Sequence, residues 1–160
     1  MINEFKMDDI EKKLKNLQFL LDSSDKKQFS ELSNEKFIIY FYPKDDTPGC
    51  TKEAIAFNAN KQIIENLGFK IFGVSKDNIE KHNKFKTKYD LDFPLISDEG
   101  GEICNIFKVW VEKSMYGKKY MGIERSTFIF DKNFKILKVW RKVKVNGHVD
   151  EIIDFLKSLE

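Results

Sequence analysis

Cys50 closes the stretch Phe41-Tyr-Pro-Lys-Asp-Asp-Thr-Pro-Gly-Cys50, and its neighbours predict a chemically active thiol. Thr47 is a favoured helix N-cap, Pro48 suits the first helical position, and Gly49 costs little at the next. Cys50 then falls in the first helical turn, where backbone N–H groups without intrahelical partners face its sulfur. The partial positive charge there favours a thiolate, the nucleophilic form of cysteine. Taking a thiol from about 8.5 to about 6 requires roughly 3.4 kcal/mol, and a helix end contributes only ~0.3–1 kcal/mol. A cation must supply the rest. A guanidinium about 4 Å away contributes up to ~4 kcal/mol at an effective dielectric of ~20. The arginines are Arg125 and Arg141. Arg125 opens the apolar run Ser126-Thr-Phe-Ile-Phe130, one end of which could present it to the thiol, whereas Arg141 sits among lysines. Arg125 is therefore the expected partner.

The elements that must position these groups alternate along the chain. Lys36–Tyr42 is a continuous apolar run ended by Pro43, as in a buried strand. A helix follows with Ala56, Ala59, Ile63 and Leu67 on one face and Gly68 as its stop. Phe69–Val74 is the next strand, and Ser75 is the expected cap of a helix placing Ile79, His82, Phe85 and Tyr89 together. A brief strand at Phe93–Ile96 leads to a helix carrying Ile103, Ile106, Phe107 and Trp110. Thr127–Phe130 and Lys135–Val145 read as a hairpin turning at residues 131–133, its second arm an edge strand with a lysine-rich outer face. An amphipathic helix with Val149, Ile152, Ile153, Leu156 and Leu159 ends the chain. The order β-α-β-α-β-α-β-β-α predicts a three-layer α/β domain with a central mixed sheet. The start is open to two readings: Met7, Ile10, Leu14, Leu17 and Leu21 fit a helix, yet Leu17–Leu21 could pair with Lys27–Phe29.

Composition limits the function classes. The chain has 160 residues, 41% apolar with fifteen phenylalanines, which is one domain's worth of core. A net charge of +2, from 28 basic and 26 acidic residues, leaves no electrostatic footprint for nucleic acid. No apolar run is long enough for a membrane span, and the N-terminus lacks signal-peptide character. Two cysteines form no disulfide scaffold, so a reducing, cytoplasmic setting is expected. Cys50, Cys104, His82 and His148 lack the paired spacings of a zinc site, so no metal is expected. His82 reads as a packed core histidine, and His148, beside Gly147, as exposed.

Pro43-x-x-x-Thr47-x-x-Cys50 resembles the peroxiredoxin signature. Tyr40-Phe-Tyr-Pro-Lys-Asp-Asp-Thr-Pro-Gly-Cys-Thr-Lys-Glu-Ala54 closely resembles the bacterioferritin-comigratory, or Q-type, branch of that family. Met115-Tyr-Gly-Lys-Lys-Tyr-Met-Gly-Ile-Glu-Arg-Ser-Thr127 resembles a second block of the same branch and contains Arg125. The likeness runs from about Leu17 to the C-terminus, leaving residues 1–16 unassigned, and implies a single thioredoxin-like domain over residues 1–160. It implies an antioxidant thiol peroxidase acting on hydrogen peroxide and organic hydroperoxides, with thioredoxin or another thiol as reductant and no cofactor. A monomer or weak dimer is expected. By this resemblance Cys50 attacks a peroxide oxygen and becomes a sulfenic acid. Thr47 and the Cys50 N–H hold the peroxide, Arg125 stabilises charge on the separating oxygens, Pro43 shields the thiolate, and Glu53 orients Arg125. On its own, Glu53 also reads as a solvated first-turn acid, because that position favours acids.

Two features depart from the branch. Many relatives carry a resolving cysteine five residues after the first, where this chain has Ile55. Cys104 borders the apolar face of its expected helix, either as a half-buried filler or as a resolving thiol reached by local unfolding. The opening Leu17-Gln-Phe-Leu-Leu21 also differs from the Ala-Pro-Asp-Phe usual near the first strand. Rival readings are a disulfide exchanger, which needs Cys-x-x-Cys where Thr51-Lys-Glu53 follows Cys50, and a binding module using Lys81, Lys84, Lys86 and Lys88. Such a lysine run is usually a solvated face.

Overall fold

The computed structural model describes residues 4–160. Helix α1 (Glu4–Leu14) precedes strands β1 (Gln18–Leu21) and β2 (Lys26–Gln28) and a 3₁₀ turn at Phe29–Leu32. Both readings of the opening therefore hold in part: the helix ends at Leu14, and the next apolar residues enter an antiparallel pair. Then come β3 (Lys36–Phe41), α2 (Pro48–Ala59), α3 (Lys61–Asn66), β4 (Phe69–Ser75), α4 (Ile79–Tyr89), β5 (Leu95–Ser97) and α5 (Glu102–Ile106). The chain finishes with β6 (Trp110–Met115), β7 (Lys118–Ile123), β8 (Ser126–Phe130), β9 (Ile136–Trp140) and α6 (His148–Ser158). Seven strands form one mixed sheet in the order β2-β1-β5-β4-β3-β8-β9, while β6 and β7 form a separate hairpin.

Strand β3 lies at the centre of this sheet, parallel to β4 and antiparallel to β8. From Phe37 onward it is apolar because both faces are covered. Phe37, Ile39 and Phe41 face one core with Ile10, Leu14, Ile103 and Phe107. Ile38 and Tyr40 face the other, with Phe57, Ile64, Phe85 and Ile152. Helices α2, α3, α4 and α6 thus cover one side, and α1 and α5 the other. The register sets up the site: Phe41 lies opposite Ser126, so Arg125 enters the sheet at the end where β3 leaves it.

Several expectations change. The helix after Cys50 breaks at Asn60, and its buried positions are Cys50, Glu53, Ala54, Phe57 and then Ile64, while Ala59 and Ile63 are exposed. Ser75 is not a cap. It ends β4 with its hydroxyl on Asp77, and the Asn78 side chain accepts from the Lys81 N–H instead. Helix α5 stops at Ile106, Lys108 turns with φ +61, and Trp110 begins a strand. The β-branched neighbours Val109 and Val111 and the aromatic Trp110 itself outweigh the helical spacing. Strand β9 is an edge strand as expected, but it ends at Trp140, and a bulge opposite Ile129 and Phe130 disturbs its alternation. His148 is buried at 3% exposure, because α6 packs its first turn against β8 and β9.

Gly73 is required by close approach across this sheet. It lies between Tyr40 on β3 and Leu95 on β5, and an added Cβ would come within 2.9 Å of Leu95 Cδ2 and 3.0 Å of the Tyr40 ring. Gly73→Ala is expected to lower stability in urea unfolding by about 1–3 kcal/mol through overpacking.

Candidate active site

The loop from Tyr42 to Thr47 carries the chain from the end of β3 to the start of α2. Thr47 is the N-cap by backbone position (φ −103°, ψ 156°), with Pro48 at the first helical position. Its hydroxyl does not close the cap. It donates to the Lys44 carbonyl at 2.8 Å, which leaves its oxygen lone pairs free to accept. Cys50 lies in the first turn as expected, at 2% exposure. Pro43 is only partly buried, on the same loop.

The cation expected beside the sulfur is present. The Arg125 guanidinium places Nη2 3.4 Å from Cys50 Sγ and donates from Nη1 to Glu53 Oε1 at 2.7 Å. Its two arms thus span one helical turn of α2. The reading of Glu53 as a solvated acid is overturned, since the side chain is 1% exposed. Gly49 makes room for the guanidinium: a Cβ there would lie 3.2 Å from Nη2. The Arg125 backbone is held by the Val143 N–H, which donates to its carbonyl at 3.0 Å. Arg141 is spoken for elsewhere, donating to Glu124 Oε1 at 2.6 Å.

Burial pushes the Glu53 carboxyl up to about 7, against the opposing charge and hydrogen bond of Arg125. Among the described residues its second oxygen has no hydrogen-bond partner, and neither has the buried Tyr40 hydroxyl. Tyr40 stacks on Phe57 with ring centroids 4.3 Å apart, and burial and the charges of Glu53 and Cys50 raise its hydroxyl far above the usual value. His148 shares a 2.7 Å hydrogen bond with the Thr127 hydroxyl. Burial and the Arg125 charge push its imidazole down to about 4.

Cys104 is fully buried rather than bordering its helix face, and it packs in the core on the opposite side of the sheet from Cys50. Its backbone N–H donates to Asp98 Oδ2 at 2.8 Å, and burial and Asp98 push its thiol strongly up. A cleft of about 390 Å³ opens beside the site, lined by Thr47, Pro48, Thr51, Ile55 and Tyr89 among others. Ile55 is 46% exposed there. The lysines of α4 are partly committed, Lys86 to Asp22 and Lys88 to Asp46. Among the described residues no helix is long and apolar enough to cross a membrane.

The model of the AhpC/TSA family matches residues 8–139. The peroxiredoxin Bcp of Bacillus subtilis is 43% identical over 151 residues, covering 94% of this chain and 96% of its own. The chain belongs to the AhpC/TSA family. Within that family it falls in the Bcp, or Q-type, peroxiredoxin branch. A structure of Xanthomonas campestris peroxiredoxin Q is 41% identical, covers 92% of this chain and 93% of its own, and superposes with a TM-score of 0.87. A structure of the Xanthomonas campestris bacterioferritin comigratory protein, described for its alkyl peroxide reduction activity, is 40% identical with the same TM-score and covers 92% and 94%. The expected thioredoxin-like fold is thereby borne out, and the activity to be accounted for is thiol-dependent peroxide reduction.

The folded chain holds the Glu53 proton more tightly than the unfolded chain, whose carboxyl has the usual value of 4.5. The resulting stabilisation is complete below pH 4.5 and is lost as pH rises through about 7. Urea unfolding of wild type and Glu53→Gln across pH 4.5–8 should diverge by on the order of 1–3 kcal/mol, wild type losing stability relative to the variant. Parallel curves would mean that Arg125 keeps Glu53 ionised throughout.

Proposed function

We propose that the chain reduces hydrogen peroxide and organic hydroperoxides at Cys50 and is returned to its thiol state by an external thiol reductant of the thioredoxin kind. The observation that carries this reading is the Arg125 guanidinium, 3.4 Å from Cys50 Sγ and fixed by Glu53. A thiolate held there is paired with a planar donor that can touch sulfur and a peroxide oxygen together. The alkyl peroxide activity described for the similar Xanthomonas campestris protein supports the substrate class.

The reaction balances on these groups. The thiolate sulfur attacks the near peroxide oxygen, an S–O bond forms, and the O–O bond breaks. Sulfur loses two electrons to the peroxide, and the departing alkoxide or hydroxide takes a proton from solvent, replacing the one the thiol released on ionising, to leave as alcohol or water. Cys50 is left as a sulfenic acid. The free lone pairs of the Thr47 hydroxyl accept a hydrogen bond from the peroxide O–H, and the Cys50 N–H donates to its oxygen, which holds the bond in line with sulfur. Arg125 stabilises the charge that develops as the oxygens separate. Pro43 keeps bulk water from the sulfur.

Return to the thiol takes two reducing equivalents. One external thiol displaces water from the sulfenic sulfur to give a mixed disulfide, and a second displaces Cys50 to leave a disulfide in the reductant. Cys104 does not fit the resolving role. It is buried across the sheet from Cys50, and forming their disulfide would require both helix starts to unfold.

Cys50→Ser should abolish peroxide consumption with the fold intact. Arg125→Lys keeps a charge but loses the fork, and stopped-flow oxidation should slow at least ~100-fold. Wild-type rates in Arg125→Lys would make the arginine structural. Cys104→Ser should turn over with a small thiol as wild type does, and peroxide-treated wild type should gain one oxygen by intact mass. An intramolecular Cys50–Cys104 disulfide in that spectrum would overturn the assignment.

A further inference from the structure

The loop that carries Pro43 and Thr47 is tied to α4 by two consecutive aspartates. Asp46, at φ +57, accepts from Lys88 Nζ at 2.8 Å and from the Tyr89 hydroxyl at 2.6 Å on the surface. Asp45 turns inward at 8% exposure and takes Tyr42 Oη on Oδ1 and His82 Nδ1 on Oδ2, each at 2.6 Å. The Asp45 N–H donates to Asp77 Oδ2 at 2.8 Å, which also accepts from the Ser75 hydroxyl.

His82 decides the character of this knot. Its ring is fully buried, with Nδ1 against a carboxylate and Nε2 3.0 Å from the Ile96 carbonyl. With Asp45 as a carboxylate both neighbours are acceptors, so both nitrogens need a proton, and the imidazolium is the form that satisfies them. Asp45, Asp77 and His82 bring ligand atoms within 4.8 Å of one another, but the atoms named above already have hydrogen-bond partners. The group is a hydrogen-bonded fastening, not a cation hole.

We propose that His82, as a buried imidazolium bonded to Asp45 and the Ile96 carbonyl, is a positioning residue that fixes the Pro43–Thr47 loop over Cys50. This rests on the peroxidase reading above. His82 touches neither sulfur nor peroxide and acts through Asp45 on where the Thr47 hydroxyl stands. Misplacing a positioning group by about 1 Å costs on the order of 10²-fold in rate. The groups facing the ring are Asp45 from this loop, Asp77 from the turn between β4 and α4, the Tyr42 hydroxyl behind Asp45, and the Ile96 carbonyl of β5. Along α4, Lys81 and Lys84 are exposed and Lys86 pairs with Asp22. Burial pushes the imidazole down, but the Asp45 bond and charge, the Ile96 carbonyl and Asp77 together raise it above its ordinary 6.5. The fastening is therefore complete below 6.5 and loosens as pH rises through the folded value.

The chain has two histidines, so nitrogen NMR of histidine-labelled full-length protein reads both directly. At pH 7 His82 should carry protons on both nitrogens while His148 is neutral. The peroxide rate constant should fall on the alkaline side with the midpoint of the His82 titration. His82→Leu should lose about 10- to 100-fold in peroxide rate and lose that alkaline fall, while Cys50 alkylation by iodoacetamide stays within about threefold of wild type. A neutral His82 at pH 7, midpoints more than one pH unit apart, or a folded His82→Leu with wild-type peroxide rates would each overturn the proposal. If His82→Leu does not fold, the wild-type titration and pH profile decide. If wild type consumes no peroxide, the peroxidase reading fails, and amide exchange of residues 44–47 across the His82 titration still tests the anchor: exchange that quickens supports it, and unchanged exchange overturns it.

Discussion

A guanidinium held between a carboxyl group and a sulfur is the interaction around which this chain is arranged. Arg125 reaches Cys50 with one arm and Glu53 with the other, and the two partners are one turn apart on α2. That contact is possible because β8 runs antiparallel to β3 with Ser126 opposite Phe41, which delivers the arginine to the end of the sheet where α2 begins. Glycine at position 49 leaves the space that the guanidinium occupies. The continuous apolar character of β3, the alternation of its side chains between two cores, and Gly73 beneath Tyr40 all keep that end of the sheet fixed.

The arrangement is also tense. Glu53 is buried, so its charge is opposed by burial and favoured by Arg125, and one of its oxygens has no partner among the described residues. Out of bulk water, the Arg125–Glu53 contact escapes the screening that weakens an exposed ion pair.

Much of this was legible in the sequence, and the reasons are local. Thr47-Pro-Gly-Cys50 contains its own helix-start signals, and two arginines in the chain left a short choice for the cation. Strand β3 announced itself by unbroken hydrophobicity. What escaped depends on contacts between distant segments. Asp45 meets His82 across 37 residues, and nothing around either marks the pair. Glu53 finds its partner in Arg125, 72 residues away, and His148 is buried where α6 docks on β8 and β9. The β6–β7 hairpin was hidden because Ile103, Ile106, Phe107 and Trp110 satisfy helical spacing, although the chain turns at Lys108. Cys104 was placed on a helix border by that same continued helix, whereas the five-residue α5 seats it wholly within the core.

The sheet that separates the two thiols has a kinetic meaning. Under the proposed chemistry, an oxidised Cys50 has no tethered partner whose effective concentration is set by the chain itself. Its fate is a race between two bimolecular encounters, one with a reducing thiol and one with a second peroxide that carries sulfur on to the sulfinic state. The winner is decided by the ratio of the two concentrations in the surrounding solution. An intrahelical cysteine at position 55 would make resolution unimolecular and hide that ratio; an isoleucine there leaves the enzyme exposed to it. The survival of active thiol thus becomes a running measure of reductant supply against peroxide load.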